Sequence, residues 1–378
     1  MSAIPFASSP RSSVGVEWEL ALVDQDSGDL RQVAPIVLDR ISPDGSQHPN
    51  VRQELLLNTI EIVSNARQTV GQAGEDLRRN AELVQEILDP MRVEFMSAGT
   101  HPFARWDQQK VSDKDRYATL IDRTQWWGRQ MLIYGVHVHV GIEDRDKVMP
   151  IARGMLPYFA HLQSLAASSP FWGGQDTGYA SNRALLFQQL PTAGLGYQLE
   201  TWSDLENYVA DMLHTGVIDH FDEIRWDIRP SPRFGTLEMR ICDGISNLGE
   251  LLAVAALTHC LVEYLSEQLD RGRDLPTLPP WFAQENKWRS ARYGMDAIII
   301  TNRAGDEELI TDSLRSLLRD LEPVADRLGC AAELAGVHRI IEAGASYQRQ
   351  RVVARESEGR LDAVVLSLVR EFRAQTFG

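Results

Sequence analysis

Apolar and polar residues alternate over Val14–Val23, with Val16, Trp18 and Leu20 on one side and Glu17 and Glu19 on the other, the period of a strand with one face in the core. Asp24–Asp29 is a turn signal, after which Leu30–Ala34 is expected to return as the hairpin partner, followed by a loop through Pro43, Gly45 and Pro49. Val51–Val63 reads as a second long strand. It carries Glu54 and Glu61, whose odd separation puts them on opposite faces unless a bulge or loop intervenes near Asn58. Helical spacing over Ala66–Leu88 stops at Pro90, Val93–Ala98 returns to strand, Gly99–Lys110 is a loop and Asp113–Trp127 a helix. Met131–Ile142 predicts a strand with His137 and His139 on one face and Val136, Val138 and Val140 on the other.

Asp144–Ala167 has helical spacing, with Pro150 and Pro157 as expected breaks, and Ser168–Gly178 is an irregular glycine-bearing loop without the Gly-Lys-Ser/Thr of a Walker loop. A helix over Ser203–Leu213 is expected to be capped by Ser203. Within Arg225–Asp243, Glu238 and Arg240 share one strand face, opposite Leu237, Met239 and Ile241. The rest predicts helices at Leu248–Leu269, Trp281–Tyr293, Glu307–Leu328, Ala331–Glu342 and Leu361–Arg373.

No linker divides these elements, so residues 1–378 are expected to form a single catalytic domain, sheet-forming within 14–243 and mostly helical over 247–378. A formal net charge of −15 argues against a general nucleic-acid or membrane-surface binder, although four arginines between Arg225 and Arg240 suit a local anion. Cys242, Cys260 and Cys330 are widely spaced and form no Cys-x-x-Cys pair, which suggests neither a disulfide framework nor a zinc knuckle and fits a reducing compartment. Met1–Ser13 lacks the apolar core of a secretory signal, and the longest apolar stretch, Leu251–Val262, is too short to span a bilayer. A cytoplasmic protein acting on small molecules is expected, with a homo-oligomer compatible with the sequence.

Each charged feature alone has an ordinary explanation. An alternating strand usually turns its charges to water, a lone buried histidine is usually a core residue, and a neighbouring Glu and Arg usually form a salt bridge. Together, Glu17, Glu19, Glu54, Glu61, Glu238 and His137 supply ligands for two or three hard cations, and Arg240 beside them suits a transferring phosphoryl group. A metal-dependent hydrolase using His137 and His139, or a non-catalytic nucleotide or amino-acid sensor, are the alternatives.

In order along the chain, Gly15-Val16-Glu17-Trp18-Glu19-Leu20, Glu54-Leu55-Leu56-Leu57-Asn58-Thr59-Ile60-Glu61, Gly135-Val136-His137-Val138-His139-Val140-Gly141 and Thr236-Leu237-Glu238-Met239-Arg240 resemble the motifs of the YbdK-type carboxylate-amine ligases. These group with the bacterial glutamate-cysteine ligases in the glutamine synthetase superfamily, and the resemblance extends to Ser181-Asn182-Arg183 and Gly344-Ala345-Ser346. It implies an α+β fold, a glutamine synthetase-like curved and mainly antiparallel sheet with helices on its outer face. It implies ATP and Mg2+, with Mn2+ as a substitute. Glu19, Glu54 and Glu61 would hold one ion, Glu17, His137 and Glu238 another, and Glu238 and Arg240 would be catalytic. His139, Arg183, Arg229 and Arg233 would bind nucleotide or acidic substrate. The implied reaction joins an acidic amino acid, glutamate, to an amine such as cysteine through an acyl phosphate.

Overall fold

The computed structural model describes residues 4–377. Its centre is β1 (Val14–Asp24), which is paired along both edges. On one side lies the hairpin of β2 (Val51–Gln53) and β3 (Thr59–Val63). On the other, β4 (Val93–Met96) pairs the Ala21–Asp24 half of β1, and β5 (Gly135–Gly141) pairs the Val14–Trp18 half. After the short hairpin β6 (Phe171–Trp172) and β7 (Gln175–Asp176), β8 (Ile228–Ser231) and β9 (Thr236–Asp243) complete the sheet. The order is β2-β3-β1-β5-β9-β8, and every pairing is antiparallel.

Alternation decides which side is the core. Val16, Trp18, Leu20, Ile60, Ile62, Val138 and Met239 are fully buried in one apolar cluster with helices Val70–Leu88 and Leu248–Asp270. The sheet therefore turns its charged side away from these helices. Further along β1, Ala21 and Val23 continue the Glu17/Glu19 side but pack in a second core with Met96, Tyr134 and the Val364, Val365 and Leu368 of helix Leu361–Thr376. The acidic side of β1 is thus left uncovered by this core only over its first half.

Several elements differ from the sequence expectation. Leu30 makes a single bridge to Val23, and the chain then enters a helix, Ala34–Ile41, which Pro35 in its first turn favours. Val51–Val63 is a hairpin rather than one strand. Thr201, not Ser203, caps the helix Trp202–His214, in a capping box with Asp204. Pro150 lies within the helix Arg145–Gly154 without ending it, whereas Pro157 sits in the break before Phe159–Ala166. Glu307–Leu309 is a short strand paired with Ile298–Ile300, so the next helix starts at Ile310. The helix Ser346–Glu356 is an addition. The expected helix Leu248–Leu269 is found as Leu248–Asp270. Its 23 residues are long and apolar enough to cross a membrane, but 72% of the relevant window is buried inside the fold, as befits a core helix.

Candidate active site

The strand register lines up the ionisable groups. Glu61 lies opposite Glu19, Glu17 opposite His137, His139 opposite Glu238, and Glu238 opposite Arg229. The row crosses five adjacent strands on the side away from the large core, as period-two alternation requires.

Its densest part is the group Glu17, His137 and Glu238, each offering a ligand atom within 4.8 Å of the others. His137 Nδ1 is 2.9 Å from Glu17 Oε2 and 3.8 Å from Glu238 Oε1. His139 Nε2 lies 3.7 Å from Glu17 and 3.8 Å from Glu238, while its Nδ1 is 2.9 Å from Thr236 Oγ1. His139, expected on the nucleotide side, therefore faces the same two carboxylates as His137. Arg229 Nε and Nη2 donate to Glu238 Oε2 at 2.8 and 2.7 Å, and Arg240 Nη1 donates to Oε1. Glu238 is 1% exposed, and its charge survives burial because these two arginines hold its carboxyl well below the usual range. Burial also opposes charge on Glu17, but the hydrogen bond from His137 and the nearby His139 ring outweigh it and bring the carboxyl down. Burial drives His137 down to about 4, helped by Arg240, so its ring is neutral and able to act as a ligand. For His139, Glu238 and Glu17 overcome burial and raise the proton affinity of a ring set between two acids.

The other end of the row is less fully compensated, with Arg52 Nη1 3.9 Å from Glu61 Oε2. Burial, with the nearby Glu54 charge, pushes Glu19 up to about 7, and burial with Glu17, Glu54 and Glu19 raises Glu61 well above the carboxylate range. Glu54 reaches them because the chain breaks strand geometry between β2 and β3, the interruption that the odd spacing of Glu54 and Glu61 required. Tyr117 Oη donates to Glu54 Oε2 at 3.1 Å. Glu19, Glu54 and Glu61 interact through their charges but do not close into a ligand cluster as tight as the first.

These residues fit divalent ions on their own chemistry. His137 Nε2 is buried without a hydrogen-bond partner beside two carboxylates, and Glu19 and Glu61 are buried acids whose proton affinity burial and mutual repulsion raise. Hard, oxygen-preferring cations meet both needs.

The arginines divide by position. Arg183, 3% exposed, reaches the end of β9, where Nη1 donates to the carbonyls of Arg240 and Ile241 at 3.2 and 3.4 Å. Its Nε, like that of Arg240, is buried without a partner. Arg233, in contrast, is exposed on the β8–β9 turn, stacks on Phe234 and joins none of these groups.

Sequence reasoning missed the support of Arg183. The buried Asp243 carboxylate accepts Ser168 N–H at 3.0 Å, Ser169 Oγ–H at 2.6 Å and Ser181 Oγ–H at 2.7 Å. Ser169 Oγ in turn accepts Arg183 N–H at 3.1 Å, and Ser181 caps the helix Asn182–Phe187. Only the position of Asp243 at the end of the Glu238/Arg240 strand hinted at this. Gly135, which donates its N–H to Glu19 Oε2 at 2.5 Å, leaves the space for the guanidinium: a Cβ there would lie 2.6 Å from Arg183 Cζ.

The model of the glutamate-cysteine ligase family 2 matches residues 13–367. A relative from Arthrobacter sp. (strain FB24), named "Putative glutamate--cysteine ligase 2-1", is 58% identical over 98% of both chains. A namesake from Clavibacter michiganensis subsp. michiganensis (strain NCPPB 382) is 57% identical over 98% of this chain and 97% of its own. Among solved structures, a glutamate-cysteine ligase from Francisella tularensis in complex with AMP superposes with a TM-score of 0.71 at 13% identity, covering 98% of this chain and 90% of that one. The ligase PafA in its complex with the ubiquitin-like protein Pup gives 0.55 at 12% identity, over 94% and 72%. The shared fold is the glutamine synthetase-like one, and the chain belongs to the glutamate-cysteine ligase family 2.

Proposed function

We propose that this member of the family is an ATP-dependent carboxylate-amine ligase that joins the side-chain carboxylate of glutamate to the amine of cysteine, within a single catalytic domain in the cytoplasm. The observation that carries the reading is the Glu17–His137–Glu238 cluster with Arg240 and Arg229 on its inner acid, in a chain whose relatives bear the ligase name over their full length. A carboxylate does not accept an amine directly, because oxide would have to leave. Phosphorylation by ATP gives an acyl phosphate and ADP; the amine then attacks the carbonyl carbon and phosphate departs.

Glu17, His137 and Glu238 would hold one magnesium ion and Glu19, Glu54 and Glu61 another, with manganese as a substitute. When bound, such ions would supply the positive charge that lets the ATP tail and the substrate carboxylate, two anions that otherwise repel, come together. Arg240 anchors on Glu238 and keeps Nε free for a phosphoryl oxygen, the planar donor that such a group needs. Arg229 keeps Glu238 ionised, and the raised proton affinity of His139 favours polyphosphate. Arg183, with its free Nε, takes the acidic substrate.

The test measures ADP release from ATP and Mg2+ with glutamate and cysteine together, singly and absent, followed by mass spectrometry. ADP that requires both substrates, with γ-glutamylcysteine as product, is the expected result. ATP left intact with both present overturns the choice of substrates, and ATP left intact across a broad panel of carboxylates and amines overturns the ligase itself.

A further inference from the structure

Cys260 and Cys330 are 70 positions apart, yet their sulfurs lie 3.6 Å apart in the core. Cys260 is on the core helix Leu248–Asp270. Cys330 follows Gly329, the left-handed residue that ends helix Ile310–Leu328, and begins the short helix Ala331–Leu334. The neighbour of Cys260, His259, donates Nε2–H to the Ser12 carbonyl at 2.7 Å, so its Nδ1 carries the lone pair. That Nδ1 is buried with no partner of its own, and His259 is among the groups that draw the Cys330 thiol down. A basic nitrogen, a thiol and a second thiol in contact with it are the parts of a reactive dithiol.

We propose that Cys260 and Cys330 are a redox-active pair that closes to a disulfide on exposure to a hydroperoxide. His259 Nδ1 takes the Cys330 proton, and the thiolate attacks one peroxide oxygen. The O–O bond breaks, the departing hydroxide leaves as water with the proton from His259, and Cys330 becomes a sulfenic acid. The Cys260 sulfur then displaces the sulfenic hydroxyl as a second water. Two thiols and one hydrogen peroxide thus give one disulfide and two waters. The sulfurs need to approach by about 1.5 Å to reach bonding distance. The polarity follows from Cys260 and His259, which draw the Cys330 thiol down against the opposing effect of its burial. Cys242, also buried but with its sulfur 3.9 Å from the Leu162 carbonyl and its thiol raised to about 12, is an unreactive internal control. The closed bond ties the core helix to the end of the Ile310–Leu328 helix.

The full-length protein is treated with hydrogen peroxide, unfolded in N-ethylmaleimide, digested without reductant and analysed by mass spectrometry. The expected result is loss of two of the three alkylatable thiols, a linked Cys260–Cys330 peptide pair two hydrogens lighter than the thiols, and recovery of all three thiols with dithiothreitol. A melting temperature raised by several degrees accompanies it, because the cross-link restricts the unfolded chain. In Cys260→Ala, dimedone traps a sulfenic acid at Cys330; in Cys330→Ala, Cys260 remains unlabelled. Three free thiols after peroxide, or a linkage through Cys242, overturns the pair. Dimedone on Cys260 with Cys330 absent overturns the order of attack. The wild-type peptide map decides the linkage even where a variant fails to fold.

Discussion

Glu19 and Glu61 stand directly opposite each other across the β1–β3 pairing, two buried acids in one cross-strand position. Like charges so placed are destabilising unless one side takes a proton or a cation lies between them.

The pH dependence of the metal-free protein follows. The Glu19 carboxyl is raised from 4.5 to about 7 on folding, so between these values the folded state keeps a proton that the unfolded chain has lost. Stability therefore falls as pH rises through that window, and Glu61, raised in the same sense, adds to the fall. Thermal melts from pH 5 to 8 should show a declining melting temperature without Mg2+, a decline that saturating Mg2+ removes and Glu19→Gln reduces. A flat profile in the metal-free wild type would contradict the buried repulsion.

Glu238→Gln tests the densest cluster. It removes a ligand and the charge on which Arg229 and Arg240 converge, so turnover should fall on the order of 10³-fold. Leaving two buried guanidiniums without their acid should also cost about 3 kcal/mol, read from a urea midpoint. Near wild-type ADP formation would move the metal ligands elsewhere.

Gly135→Ala inserts a methyl against the Arg183 guanidinium while leaving every charged residue in place. The KM for the acidic substrate should rise by about tenfold, equivalent to about 1.4 kcal/mol, with far-UV circular dichroism unchanged. An unaltered KM would remove Arg183 from the substrate site.

Asp243→Asn replaces an acceptor of three hydrogen bonds by a group that must present N–H to at least one of its donors. About 2 kcal/mol of stability should be lost. If the network serves to set Arg183, the KM for the acidic substrate rises too; a stability loss with KM untouched makes Asp243 a scaffold residue only.

The legible parts of the sequence were those with period two and opposite chemistry on the two faces. Glu17/Glu19, His137/His139 and Glu238/Arg240 each contrast with fully buried Val16, Val138 and Met239, and all six charged residues join the row. The parity of Glu54 and Glu61 showed that a break was needed but not that it makes a hairpin. Helix Ala34–Ile41 was hidden because its cap, Val33, makes no side-chain hydrogen bond, and Ser346–Glu356 because its sequence is strongly polar. The Asp243 network had no local signature at all: its serine partners are 75, 74 and 62 residues away. The Cys260–Cys330 contact was missed for the same reason, since spacing says nothing about what two helices bring together.

The order of the strands also sets when the protein acquires its chemistry. Glu17 meets His137 across 120 positions, and neither has its third neighbour until β9, the last strand of the sheet, is in place. The helices that follow form from local contacts and close quickly, whereas such distant pairings are slow. A refolding chain should therefore regain helical circular dichroism before it regains magnesium affinity, and a nascent chain cannot assemble the Glu17–His137–Glu238 cluster until nearly two-thirds of it has been made.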